Sequence, residues 1–269
     1  MSITKIVRAT GNVALAQATW GGTQNFLGAR WIENLVDCSP RYVRARLALR
    51  LLSLSPHYFY DRDIVAEAER NRQSRKMIVD TLIVPYLTSE ARVLDYGCGP
   101  GYMATAVAGH VAHVDAVDIS RGVLACARAI NGQSNITYLT PGEFSQGNDI
   151  IDLAYSFAVA QHLTRDVLIE ALGMLASRIR QNGILILHFA EPGLDGWRTE
   201  AECMAGGSVS NRVKLRYGLN CFGRSVEQME ELVIANCFTD VATRPLHECF
   251  DAPLEDDIVK QHVLIARRK

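Results

Sequence analysis

Three glycines at alternate positions, Gly97, Gly99 and Gly101, follow the apolar pair Val93-Leu94 and the acid Asp95. Alternate glycines after a buried strand suit a sharp turn that a ligand approaches without interference from Cβ atoms, just before a helix whose N-terminal amides face that ligand. Met103 to His110 supplies the helix. A dinucleotide fingerprint, G-x-G-x-x-G, would place its third glycine at position 102, where this chain has Tyr102. A carboxylate inside the turn would repel a diphosphate but suits an amine or a cation, so Asp95 points to a sulfonium amino acid rather than a pyrophosphate. A second acid, Asp118, ends the stretch His113-Val114-Asp115-Ala116-Val117-Asp118, about twenty residues past the glycine loop. One carboxylate there can accept hydrogen bonds from both hydroxyls of a ribose; the plainer alternative is a surface loop acid.

The elements that must position these groups come in the order strand, glycine loop, helix, strand, acid, helix. The helix after Asp118 runs from about Arg121 to Ile130, and a third strand covers Asn135 to Leu139. Further along come Ile151-Asp152-Leu153-Ala154-Tyr155-Ser156, then Gln161-His162-Leu163, Gln181-Asn182-Gly183 and the strand Ile184 to Ala190. Ser225 to Glu230 opens another helix, which ends before Cys237-Phe238. From Arg92 to Lys269 this series resembles the class I S-adenosylmethionine-dependent methyltransferases, many of which have Gly-Phe where this chain has Cys237-Phe238. The resemblance implies a Rossmann-like α/β fold: a seven-stranded, mostly parallel sheet whose last two strands, about Thr239 to His247 and Lys260 to Arg267, make an antiparallel hairpin.

The same resemblance implies S-adenosyl-L-methionine as cofactor and assigns residues to it. Asp95 would orient the methionine amine, while Gly97, Cys98, Gly99 and Gly101 bring bare backbone to the amino acid and ribose. Asp118 would take the ribose diol, Ile119 offer an apolar face to adenine, and Glu143, in the Pro-Gly turn with Phe144, lie near the adenine amine. Ser156 begins the segment that faces the donor. Methyl transfer from a sulfonium asks the protein chiefly to position the partners and exclude water, but a hydroxyl acceptor must lose its proton. A neutral imidazole can take it, which makes His162 the candidate base; the other reading is a structural imidazole beneath the loop. His188 and Glu191, near the end of the fifth strand, are alternative bases or acceptor contacts. No clustered His and acid pattern calls for a divalent metal.

Composition narrows the partners. Lys and Arg nearly cancel Asp and Glu, 28 against 29, so the chain lacks the overall basic field of a nucleic-acid modifier. Seven cysteines without C-x-x-C or zinc spacing point to reduced thiols and a cytoplasmic setting. No apolar run is long enough for an integral membrane span. The expected organisation is a helical cap over 1–88 and a catalytic domain over 89–269. Three helical stretches, about Gln24 to Val36, Pro40 to Leu52 and Asp63 to Pro85, form the cap. The 40–52 helix carries Arg41, Arg44, Arg46 and Arg50 and is open to two readings: peripheral contact with a membrane, or an apolar face packed inward with its arginines solvated. Tyr60, in an aromatic cluster before the third helix, either lines the acceptor pocket or wedges the cap on the sheet. Arg70 is a further candidate contact. An insertion at about 193–223, with Trp197 and Tyr217, reads as an acceptor lid or as a solvated surface helix. The expected acceptor is a small-molecule or lipid-linked hydroxyl, as on a sugar or polyketide. C-methylation of a quinone or phenolic ring is the alternative, and a non-catalytic binding module is the alternative of another class.

Overall fold

The computed structural model describes residues 27–53, 63–193, 198–206, 221–250 and 261–269. Tyr60, Trp197 and Tyr217 lie outside them, as does most of the 193–223 insertion. Seven strands form one sheet: β1 (Arg92–Tyr96), β2 (His113–Val117), β3 (Ile136–Leu139), β4 (Ile151–Ser156), β5 (Ile179–Ala190), β6 (Phe238–Pro245) and β7 (Gln261–Arg268). Their order is β3-β2-β1-β4-β5-β7-β6. The first five are parallel, and β7 enters antiparallel between β5 and β6. The strands β1 and β4 are neighbours although the chain leaves them in opposite lateral directions. Open α/β sheets bind ligands at the carboxyl ends of such a pair.

Apolar residues on both faces explain why the central strands are buried. In β1 and β4, Val93 and Leu153 join one core cluster while Leu94 and Ala154 join the other. Helices α3 (Ile64–Leu82) and α4 (Tyr102–Ala108) cover the first face through Val79, Leu82, Ala104 and Val107. On the second face α6 (Pro141–Gln146), α7 (Arg165–Arg178) and α9 (Val226–Ala235) bring Phe144, Leu172, Leu175 and Val233. The last turns of α3 are thus part of the core itself.

A third cluster joins the N-terminal helices to α5 (Arg121–Ile130). Ile32 and Val36 of α1 (Leu27–Asp37) and Ala48, Leu51 and Leu52 of α2 (Arg41–Leu52) meet Val123, Ala125 and Cys126. The apolar side of α2 is therefore turned inward, and its solvent side shows Arg41, Arg46, Arg50 and a Tyr42 that is 88 % exposed. Ala48, Leu51 and Leu52 of α2 thus pack inward while Arg41, Arg46 and Arg50 face solvent. No described helix is long and apolar enough to cross a membrane.

The stretch expected to be a Pro-Gly turn is instead the start of α6. Thr140 caps it, Pro141 sits in its first turn, and Glu143 closes a reciprocal capping box with Thr140. Such a T-x-x-E pattern with proline at the first helical position satisfies the free amides of a helix start, and outweighs the turn preference of Pro-Gly.

Candidate active site

The glycine loop follows β1 and is left-handed at each glycine: Gly97 has φ 88°, Gly99 50° and Gly101 76°. Two of them are also sterically obligatory. A Cβ on Gly97 would lie 2.1 Å from Val159 Cγ2, and one on Gly101 2.8 Å from the Tyr138 hydroxyl. The loop is tied to the neighbouring strand, since the Gly97 and Cys98 amides both donate to the Val117 carbonyl at 2.7 and 2.9 Å. Asn131 braces its other end by donating to the Pro100 carbonyl at 2.8 Å and to Tyr138 at 3.1 Å.

Beneath this loop lies Asp95, 3 % exposed, with its Oδ2 lacking any hydrogen-bond partner. Burial pushes its carboxyl up to about 7; the adjacent Tyr155 hydroxyl opposes the rise and the charge of Asp118 adds to it. An unpaired buried carboxylate is costly, and a cationic ligand group would relieve it. Asp118 stands at the tip of β2. Its Oδ2 accepts the Gly99 N–H at 3.0 Å and its Oδ1 the Ser120 N–H at 2.9 Å. These bonds, with a weaker one from the Ile119 amide, hold the carboxylate at the loop, and burial raises its pKa. Ile119 beside it is 48 % exposed, an apolar side chain left open at the sheet edge. Cys98 is buried, and desolvation holds its thiol well above the ordinary range.

The other expected contacts have protein partners of their own. The Glu143 carboxylate accepts from the Thr140 amide at 2.8 Å and from Arg121 at 3.0 Å. Those bonds lower its pKa, the Thr140 amide most of all, and occupy it as a helix cap. Phe144, expected beside adenine, is a core side chain, 2 % exposed, with the Arg178 guanidinium 4.3 Å from its ring centre. The Ser156 hydroxyl donates to the Tyr96 carbonyl at 2.7 Å, linking β4 to β1. Phe144 is the inward residue of α6, and Ser156, at the end of β4, is buried with its hydroxyl bonded to the adjacent strand. Arg70 is exposed on α3.

Beyond β4, His162 ends a short 3-10 turn, Ala160–His162, and is half-buried with its Nδ1 3.9 Å from Cys221 Sγ. His188, 5 % exposed in β5, accepts the Ala158 N–H on Nδ1 at 3.2 Å and has Gln261 Oε1 2.8 Å from Nε2. Burial lowers its pKa to about 4, so it is neutral near pH 7 and is committed on both nitrogens. Glu191 follows β5 and pairs with His262 Nε2 at 3.0 Å.

A methyltransferase-domain family matches residues 66–213, more than half of the chain. The chain belongs to that methyltransferase family. Its fold is that of the class I, S-adenosylmethionine-dependent superfamily its sequence resembles. Among solved structures it is similar to a putative methyltransferase from Haloferax volcanii seen with its activator, at TM-score 0.54 and 14 % identity, covering 77 % of this chain and 94 % of that one. Magnesium protoporphyrin IX methyltransferase from Synechocystis, with bound S-adenosylhomocysteine, gives 0.53 and 17 %, with 85 % and 93 % covered. An S-adenosylmethionine-dependent methyltransferase from Mesorhizobium loti gives 0.51 and 17 %, with 68 % and 94 % covered. No curated protein matches the chain. Identities this low speak for the fold alone.

For this methyltransferase the structure adds a residue that sequence reasoning passed over. Arg224, 6 % exposed, donates to the Ala160 carbonyl at 2.7 Å and to the Leu163 carbonyl, and pairs with Glu200 at 3.5 Å. Glu200 opens α8 (Glu200–Ala205), a helix within the insertion, and also accepts the Arg165 amide at 2.7 Å. One buried guanidinium thus straps the insertion to the turn that carries His162. Nothing in the local sequence marks it, because its partners are main-chain carbonyls far away in the chain.

Proposed function

We propose that the chain transfers a methyl group from S-adenosylmethionine to a hydroxyl of a small-molecule or lipid-linked acceptor. The observation that carries the donor part is the buried, unpaired Oδ2 of Asp95 beneath three left-handed glycines. A cationic amino group is the complement of that carboxylate. Asp118 would accept from the ribose hydroxyls with its remaining lone pairs, and the exposed Ile119 would cover adenine. When bound, the donor supplies an electrophilic methyl on a sulfonium. The protein's share is then to hold the acceptor in line and keep water out.

A hydroxyl acceptor gives up its proton as the new bond forms. In this reading His162, half-buried in the turn after β4, would receive it; the engagement of both nitrogens of His188 and the pairing of Glu191 with His262 support that choice. Comparable folds are described acting on acceptors as unlike as phosphoethanolamine and magnesium protoporphyrin, so the fold does not choose the acceptor. Calorimetric titration with S-adenosylhomocysteine and with NADH tests the donor. Binding of the first alone supports the reading, and binding of the second alone refutes it. Turnover with labelled donor against hydroxylated and phenolic acceptors, followed by locating the label on oxygen or carbon, then tests O- against C-methylation.

A further inference from the structure

The segment packed against the glycine loop at Gly97 is Phe157-Ala158-Val159, directly after β4. Its middle residue has φ 58°, a left-handed conformation that an L-residue with a Cβ rarely adopts. Something must hold it there. Ala158 is exposed, so burial of its side chain does not. The contact that acts on its backbone is the N–H bond to His188 Nδ1 at 3.2 Å, and the imidazole also stacks on Phe157 with ring centres 5.4 Å apart and planes 15° from parallel. Because Nδ1 accepts, the ring proton resides on Nε2 and is donated to Gln261 Oε1 at 2.8 Å. That glutamine sits at the start of β7, opposite Ala190. The Ala158 amide thus sets the tautomer, and the inserted antiparallel strand supplies the acceptor for the remaining ring proton.

Two consequences converge on the active edge. Val159, next after the strained residue, fills the space a Cβ on Gly97 would need, with Cγ2 2.1 Å from that point. Its carbonyl also accepts the His162 amide at 2.8 Å, which starts the turn bearing the candidate base. We propose that His188 is a positioning residue: as a neutral acceptor it locks the left-handed Ala158 turn, and so sets Val159 against the glycine loop and His162 beside the acceptor. The proposal rests on the donor reading above.

The test compares His188→Leu, which keeps bulk but has no acceptor, with His188→Asn, whose Oδ1 reaches about as far as Nδ1. Calorimetry with S-adenosylhomocysteine is expected to show affinity weakened about tenfold in the leucine variant, and within about threefold of wild type in the asparagine variant, as for loss and recovery of a hydrogen bond to a buried N–H. Cooperative melting of both variants confirms that they fold. Long-range 15N spectra of the unmodified protein are expected to show Nδ1 unprotonated and Nε2 protonated. Wild-type affinity in His188→Leu, equal losses in both variants, or a protonated Nδ1 each overturns the proposal. If the unmodified protein binds no S-adenosylhomocysteine, the donor reading itself falls, an outcome distinct from the other three.

Discussion

The proposed contact between Asp95 and the donor's ammonium predicts a calculable pH dependence of binding. Its folded carboxyl titrates at about 7 against an ordinary value of 3.8, chiefly through burial. Because the folded pKa is the higher one, folding favours the protonated acid. The associated stability is complete below about pH 4 and is lost as pH rises through about 7, in all about 4 kcal/mol for a shift of this size. A ligand ammonium needs the ionised form. At pH 6.0 about one Asp95 in eleven is ionised, and at pH 7.5 about three in four. Affinity for S-adenosylhomocysteine should therefore weaken about eightfold from pH 7.5 to 6.0. Near pH 7 binding should release about half a proton, measurable by calorimetry in two buffers of different ionisation enthalpy. Asp95→Asn should bind weakly with a flat pH profile, and its apo form should lose the fall in melting temperature between pH 4 and 7. Unchanged affinity across this range, or the same slope in Asp95→Asn, would refute the assignment.

Four further outcomes are expected. Asp118→Ala should weaken S-adenosylhomocysteine binding by roughly 1–3 kcal/mol in a titration, through loss of the diol contact and of the two amide bonds that shape the loop. In Gly97→Ala the added methyl meets Val159 at a φ of 88°, so donor binding should be lost in the same assay while the far-ultraviolet spectrum stays native. His162→Ala should cut kcat by about 10²–10⁴ with donor affinity nearly unchanged, and equal loss of both would make it structural. Cys237, at the end of α9, has φ 69°; Cys237→Gly should raise stability by about 0.5–1 kcal/mol in chemical denaturation, and a lower midpoint would argue against strain there.

Local sequence determined most of the framework. Alternate glycines, two acids at strand tips and apolar strands between helices are signals carried by neighbouring residues, and β1, β2, β4, α5 and the start of α9 stand where those signals put them. The left-handed angle at Cys237 falls where many of the resembled enzymes have glycine, a residue that adopts it without strain. Even the helix at Pro141 could have been read, from Thr140 and Glu143 three residues apart. Only the tertiary structure decided which polar side chains are free for chemistry. Glu143 is taken up by its own helix cap and Arg121, Phe144 by the core, and His188 by Ala158 and Gln261. Arg224 acquired its role from carbonyls about sixty residues back in the chain. Hydrogen-bond saturation and burial depend on partners brought together by sheet order, whereas helix and strand signals depend on residues a few positions apart. The glycine loop, a local signal, points to the cofactor family, whereas the fold decides that Asp95 is buried with one oxygen unpaired, that Asp118 is tied to the loop amides and that Ile119 is left exposed.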